Sequence, residues 1–274
     1  MSSSSKRLVT LCASLLAIIV LLAPKLADAQ SPTALNDTGI IICYAPTSPC
    51  DPALHKKQDA MVGRDAAART PGSGLTTSTG KGFSFTKISR GGAALPDTAV
   101  LGDTVNDWAC TRDNVTGLMW EVKTTSPTSS RYKDNTYSWY NPDPSKNGGN
   151  PGVANGGACS ISGRCDTDKY IQDLRSTAIC GRPNWRLPVP RELQNLMDLG
   201  TPTPGNPLVS TYFPTVPSPL GSVPGNPHTL VTSTVDASDS TRVWYVYLYN
   251  NVAGVISIVA KAHQSGVWAV ASPN

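Results

Sequence analysis

The sequence predicts an α+β domain, and three observations carry that expectation. Two amphipathic helical segments lie in the middle of the chain, short alternating strand candidates flank them on both sides, and the connections are long and rich in Pro and Gly. With 23 prolines and 23 glycines in 274 residues, much of the chain must be loop. The cysteine count then suggests what holds such a chain together.

Residues 1–29 read as a signal peptide: Lys6 and Arg7 precede the apolar run 8–22, and Ala27-Asp28-Ala29 forms a small-x-small cleavage site before Gln30. Cleavage would leave six of the seven cysteines, an even number in an exported chain, for which disulfides are the expectation. It would also lower the formal charge from +4 to +2. So small an excess, with no basic cluster, argues against nucleic acid as a partner. No later segment is long and apolar enough to span a membrane, so an extracytoplasmic location, periplasmic or secreted, is expected.

Within the loop-rich extension 30–105, Thr38–Tyr44 is a β-branched strand candidate, and Cys43 and Cys50 flank two prolines that would bend the chain back for a local bridge. Phe83–Ile88 alternates apolar and polar residues as a half-buried strand does. The main domain, 106–274, opens with a hairpin at Trp108–Lys123, turning at Asp113-Asn114 and Thr116-Gly117. Its second strand alternates Leu118, Trp120 and Val122 with Met119, Glu121 and Lys123, which gives it one apolar face. Tyr132–Tyr140 reads as a short strand with Tyr137 and Trp139 on one side. Tyr132 and Tyr140 are then the exposed aromatics and the candidate ligand contacts.

Cys159 and Cys165 bracket a five-residue turn that a disulfide could close. Asp166-Thr167 caps a helix carrying Tyr170, Ile171, Leu174, Ala178 and Ile179 at helical spacing, ended by Gly181. The stretch CGRPNWRLPVPREL follows, an ordered corner because Pro183, Pro188 and Pro190 each fix φ. There Trp185 and Leu187 point one way and Arg186 the other, towards a carboxylate such as Glu121 or Glu192. A second helix presents Leu193, Leu196 and Met197 and ends at Gly200. Residues 201–228 hold eight prolines and no regular element; they form a linker or an ordered wrapping loop, and Tyr212 and Phe213 favour the loop. Val243–Tyr249, Gly254–Ala260 and Val267–Ala271 complete the chain as an antiparallel meander.

Taken together, WACTRDNVTGLMWEVK, TYSWY, CDTDKYI, CGRPNWRLPVPREL, TYFP and VWAV resemble, in order and spacing, a bacterial domain family named after the C-terminal domain of the Legionella collagen-like adhesin. The resemblance implies a C-type-lectin-like fold, related to that of formylglycine-generating enzymes, with two helices on small irregular antiparallel sheets. It also implies that Cys110 pairs with Cys180, leaving Cys43–Cys50 and Cys159–Cys165 as local pairs. Trp120, Trp185, Arg186 and Leu187 are then read as structural. The chain departs from the family pattern at Asn184, Val189 and Ala271, and Val189 in place of a capping threonine would cost about 1 kcal/mol.

No catalytic, metal or cofactor site is assigned from the sequence. His55, His228 and His263 are isolated, Asp166, Asp168 and Asp173 read as capping and solvated residues, and neither a Gly-x-Ser-x-Gly nor a phosphate loop occurs. The expectation is an exported, non-catalytic binding or adhesion domain. Its partner would be surface polysaccharide, sulphated if it follows the named adhesin, or another envelope protein. The alternatives are a structural subunit of an envelope assembly and a cysteine-dependent oxidase.

Overall fold

The computed structural model describes residues 35–40, 43, 57–64, 82–200, 207–217, 225–248 and 254–273. The leader segment 1–29, Cys50 and the Ala-rich 65–69 lie outside the described residues. Among the described residues, two helices and two small sheets form a mixed α+β fold. The first sheet contains β1 (Phe85–Ser89), β2 (Ala94–Leu95), β3 (Trp108–Asp113), β4 (Met119–Glu121), β5 (Trp185–Arg186) and β10 (Val270–Ala271), in the antiparallel order β2-β1-β3-β4-β10-β5. The second contains β6 (Asn226–Val235), β7 (Arg242–Tyr247), β8 (Ile256–Ala260) and β9 (Ser265–Gly266), in the order β8-β7-β6-β9 with β6 and β9 parallel.

The β3–β4 hairpin forms where its turn residues predict. Asp113 accepts from Val115 N and Thr116 N, and Gly117 takes a φ of 74° that a side chain would strain. Both faces of the first sheet are covered. Phe85, Leu118 and Trp120 enter one apolar cluster with Leu193, Tyr212, Phe213 and Trp268, while Ile88, Met119 and Trp185 enter another with Tyr137, Trp139 and Tyr170. The apolar face of the second hairpin strand is as expected, and the opposite side is buried as well: Glu121 and Lys123 are both enclosed.

Helix α1 (Thr167–Ser176) starts at Asp166, whose carboxylate accepts from Lys169 N. It stops five residues short of the predicted glycine. Ala178 turns left-handed at φ 43° and is exposed, and a 3-10 turn at Ile179–Gly181 carries Cys180 into the core. Helix α2 (Pro190–Gln194) is also shorter than predicted, although Leu193, Leu196 and Met197 are all buried. Val189 has no side-chain acceptor, and Glu192 supplies the reciprocal half of the cap by accepting from Val189 N at 2.9 Å.

Other expectations are corrected too. Thr38–Ile40 are not in a strand, although Leu199 N donates to Thr38 O and binds this segment to the domain. Residues 132–140 make isolated bridges instead of a strand, and Gly157 lies so close that a Cβ there would fall 2.3 Å from Thr136 O. The proline-rich region ends earlier than predicted, because β6 begins at Asn226. Within it, Leu208, Tyr212 and Phe213 are buried, as a wrapping loop requires. The tail is not one meander: β7 and β8 pair, but β10 crosses to the first sheet and lies between β4 and β5.

Two disulfides are described in full, Cys110–Cys180 and Cys159–Cys165; Cys43 is also disulfide-bonded. Arg186 meets Glu192 in a two-pronged ion pair at 2.7 and 2.8 Å; Glu121, the other candidate, is engaged elsewhere. Replacing Cys110 and Cys180 together by Ser should lower unfolding free energy by about 3–4 kcal/mol in reducing-agent-free denaturant titration, since the bridge closes a long loop. Arg186→Ala should cost about 2–3 kcal/mol by the same measurement, because it strands the buried Glu192 carboxylate.

Candidate functional site

A cleft of about 320 Å³ opens where the end of β1, the β2–β3 connector, the loop after β4 and the last turn of α1 converge. Its polar lining comes mainly from Arg90, Arg131, Asp103, Thr177 and the hydroxyls of the Ser126–Ser130 loop. The sequence makes that loop rigid. Ser129 N donates to Ser126 O and Tyr132 N to Ser129 O, while Tyr137 Oη and Asn135 Nδ2 donate to the carbonyl of Ser130. Within the loop Ser129 Oγ accepts from Arg131 N and Ser126 Oγ is bonded to Thr128 Oγ1.

Arg131 lies beneath the cleft, only 3% exposed. One terminal nitrogen, Nη1, donates to Ala109 O at 3.0 Å and Val122 O at 2.9 Å, which ties the guanidinium to the hairpin. The other, Nη2, makes no hydrogen bond, and Asp103 Oδ1 approaches it only to 3.9 Å. Burial holds the Arg131 guanidinium below its ordinary pKa; Arg90 adds to that, while Tyr170 and Glu121 oppose it. It nevertheless stays a cation at physiological pH. The second carboxylate at the rim, Asp173, is matched by Arg164 at 2.6 Å. Arg90 is fixed through its backbone, donating to Asp107 O and accepting from Cys180 N, both at 2.8 Å. The Cys110–Cys180 disulfide thus anchors one wall.

Behind Arg131 is a buried polar cluster. Glu121 accepts from Tyr170 Oη and from Ala269 N, and pairs with Lys123 Nζ at 2.9 Å. Lys123 also donates to Tyr170 Oη at 3.0 Å. Burial lowers the lysine pKa, and the Glu121 carboxylate works against that shift. Burial, followed by Glu121, raises Tyr170 well above its ordinary pKa, so it stays a phenol that donates. The cluster is closed, with every charge answered, and its chemistry is structural.

The predicted ligand contacts are placed differently from the cleft. Tyr132 is half-buried and adjacent in sequence to Arg131, with the Lys133 ammonium 6.0 Å from its ring. Tyr140 is half-buried and bound through its backbone to Thr167 Oγ1. Neither lines the cleft, and the structure does not bring the two together at it. Trp120 and Trp185 are fully buried, Leu187 packs against the core, and Arg186 is on the opposite side of its strand. Sequence reasoning passed over Arg90 and Arg131; the available signal was SPTSSR, a dense hydroxyl run ending in an arginine. Among the described residues no group of three or more His, Cys, Asp or Glu could hold a metal ion.

Lys123→Met should lower stability by about 3 kcal/mol in urea titration, because it leaves Glu121 buried with its charge only partly compensated.

No curated protein and no solved structure matches the chain. A protein-family comparison does: residues 109–271, more than half of the sequence, match the family described as the Lcl C-terminal domain. These residues run from the β3–β4 hairpin to β10 and hold both arginine-bearing corners, Arg131 in the cleft and Arg186 beside α2. The chain belongs to the family of the Lcl C-terminal domain, that of the Legionella collagen-like protein.

Proposed function

We propose that this is an extracytoplasmic, non-catalytic, adhesion-type binding domain with a lectin-like arrangement, and that it takes polysaccharide in the Arg90–Arg131 cleft. The observation that carries the reading is the cleft's lining: hydroxyl-bearing residues of a hydrogen-bonded loop beside two arginines, with one of the two rim carboxylates already neutralised by Arg164. Hydroxyl and guanidinium groups suit sugar hydroxyls and acidic substituents such as sulphate esters. Family membership is consistent with adhesion.

Export is supported by the disulfides, which persist in oxidising compartments, and no helix among the described residues is long and apolar enough to cross a membrane.

A glycan array probed with the purified protein at low and moderate salt should show acidic polysaccharides retained and then weakened by salt. Arg90→Gln should reduce that binding about tenfold while leaving the melting temperature unchanged. A screen blank for every glycan class would defeat the reading.

A further inference from the structure

The guanidinium of Arg131 is almost wholly buried, and its Nη2, itself shielded from solvent beneath the cleft, has no hydrogen-bond acceptor. A buried donor left unpaired is costly, and a buried charged one more so. Its nearest anion is Asp103, whose side chain is 73% exposed and stops at 3.9 Å, beyond hydrogen-bond length. The backbone around Asp103 is fixed. Asp107 Oδ2 accepts from Thr104 N at 2.8 Å, and Asp107 O accepts from Arg90 N at 2.8 Å. The carboxylate of Asp103 therefore stands exposed at the rim on an anchored turn.

We propose that Asp103 is an internal stand-in for a ligand oxyanion: it screens Arg131 in the free protein and gives way when a ligand's sulphate or carboxylate occupies the space between Arg131 and Arg90. This rests on the cleft being the polysaccharide site. The incoming oxyanion makes the short charge-assisted bond that Asp103 does not make, and it gains Arg90 as a second cation. Asp103 thus sets a threshold. A neutral sugar gains nothing by displacing it, because the exchange replaces a weak ion pair with none. An anionic sugar exchanges a long, solvent-screened pair for a short one. Asp103 is a specificity-determining residue that acts by competition.

The test is calorimetric titration of the wild-type chain, Asp103→Asn and Asp143→Asn with dextran sulphate, polygalacturonate and plain dextran. Asp143→Asn removes the same charge from an exposed loop position that does not line the cleft. Asp103→Asn should tighten binding of an anionic probe about threefold, the size of a solvent-exposed ion pair. Asp143→Asn should change it far less, and plain dextran should respond to neither substitution. A gain on dextran sulphate alone assigns the site to sulphate esters, and a gain on both anionic probes assigns it to oxyanions generally. Equal affinities for wild type and Asp103→Asn, or equal gains from both variants, would overturn the stand-in role while leaving polysaccharide binding intact. Absence of binding to all three probes by every variant would remove both proposals.

Discussion

The carboxylate of Glu121 is the constraint that the rest of the domain satisfies. It is fully buried, so it must be met by donors or the fold loses several kcal/mol. The donors come from three places: Tyr170 on α1, Ala269 just before β10, and Lys123 two residues beyond the end of β4. Meeting them fixes α1 across the hairpin and pulls the end of the chain into the first sheet. The main chain of the same residue is engaged as well, since Trp268 Nε1 donates to Glu121 O at 2.6 Å. Arg131 lines the cleft beside this cluster, so the cleft's buried cation lies close to the group that organises the core.

What could be read from the sequence follows from which signals are local. Trp185, Arg186 and Leu187 were legible because period-two alternation and fixed proline φ angles survive any tertiary context. The hairpin was legible for the same reason, through Asp113 and Gly117. Lys87, Lys123 and Lys261 were not, because a charged residue on a strand ordinarily marks the wet face. Here Lys87 Nζ is 3.9 Å from the centre of the Trp108 ring, and Lys261 Nζ is 4.4 Å from that of Trp139 while donating to the carbonyls of Asn147 and Asn150. β6 was hidden by its opening Asn-Pro-His, which reads as loop, and by flanking prolines. The cleft escaped notice because its cations are 41 residues apart in sequence and nothing local joins Arg90 to Arg131.

The lysine ties also explain how so loop-rich a chain holds its shape. The 141–157 loop is fastened by one ammonium to two carbonyls, and the hydroxyl loop at 126–131 by Asn135 and Tyr137. Backbone carbonyls that would otherwise need water are spent on these internal donors.

The position of β10 has a consequence for how the domain assembles. β4 and β5 are neighbours only through β10, which pairs with each of them, and the Ala269–Glu121 contact spans 148 residues of chain. The first sheet therefore stays in two pieces, with the Glu121 carboxylate missing a donor, until the last strand arrives. Loop closure over that distance is slow, and topologies dominated by such contacts fold slowly. Closing the first sheet thus depends on a contact made across 148 residues, not on any local turn.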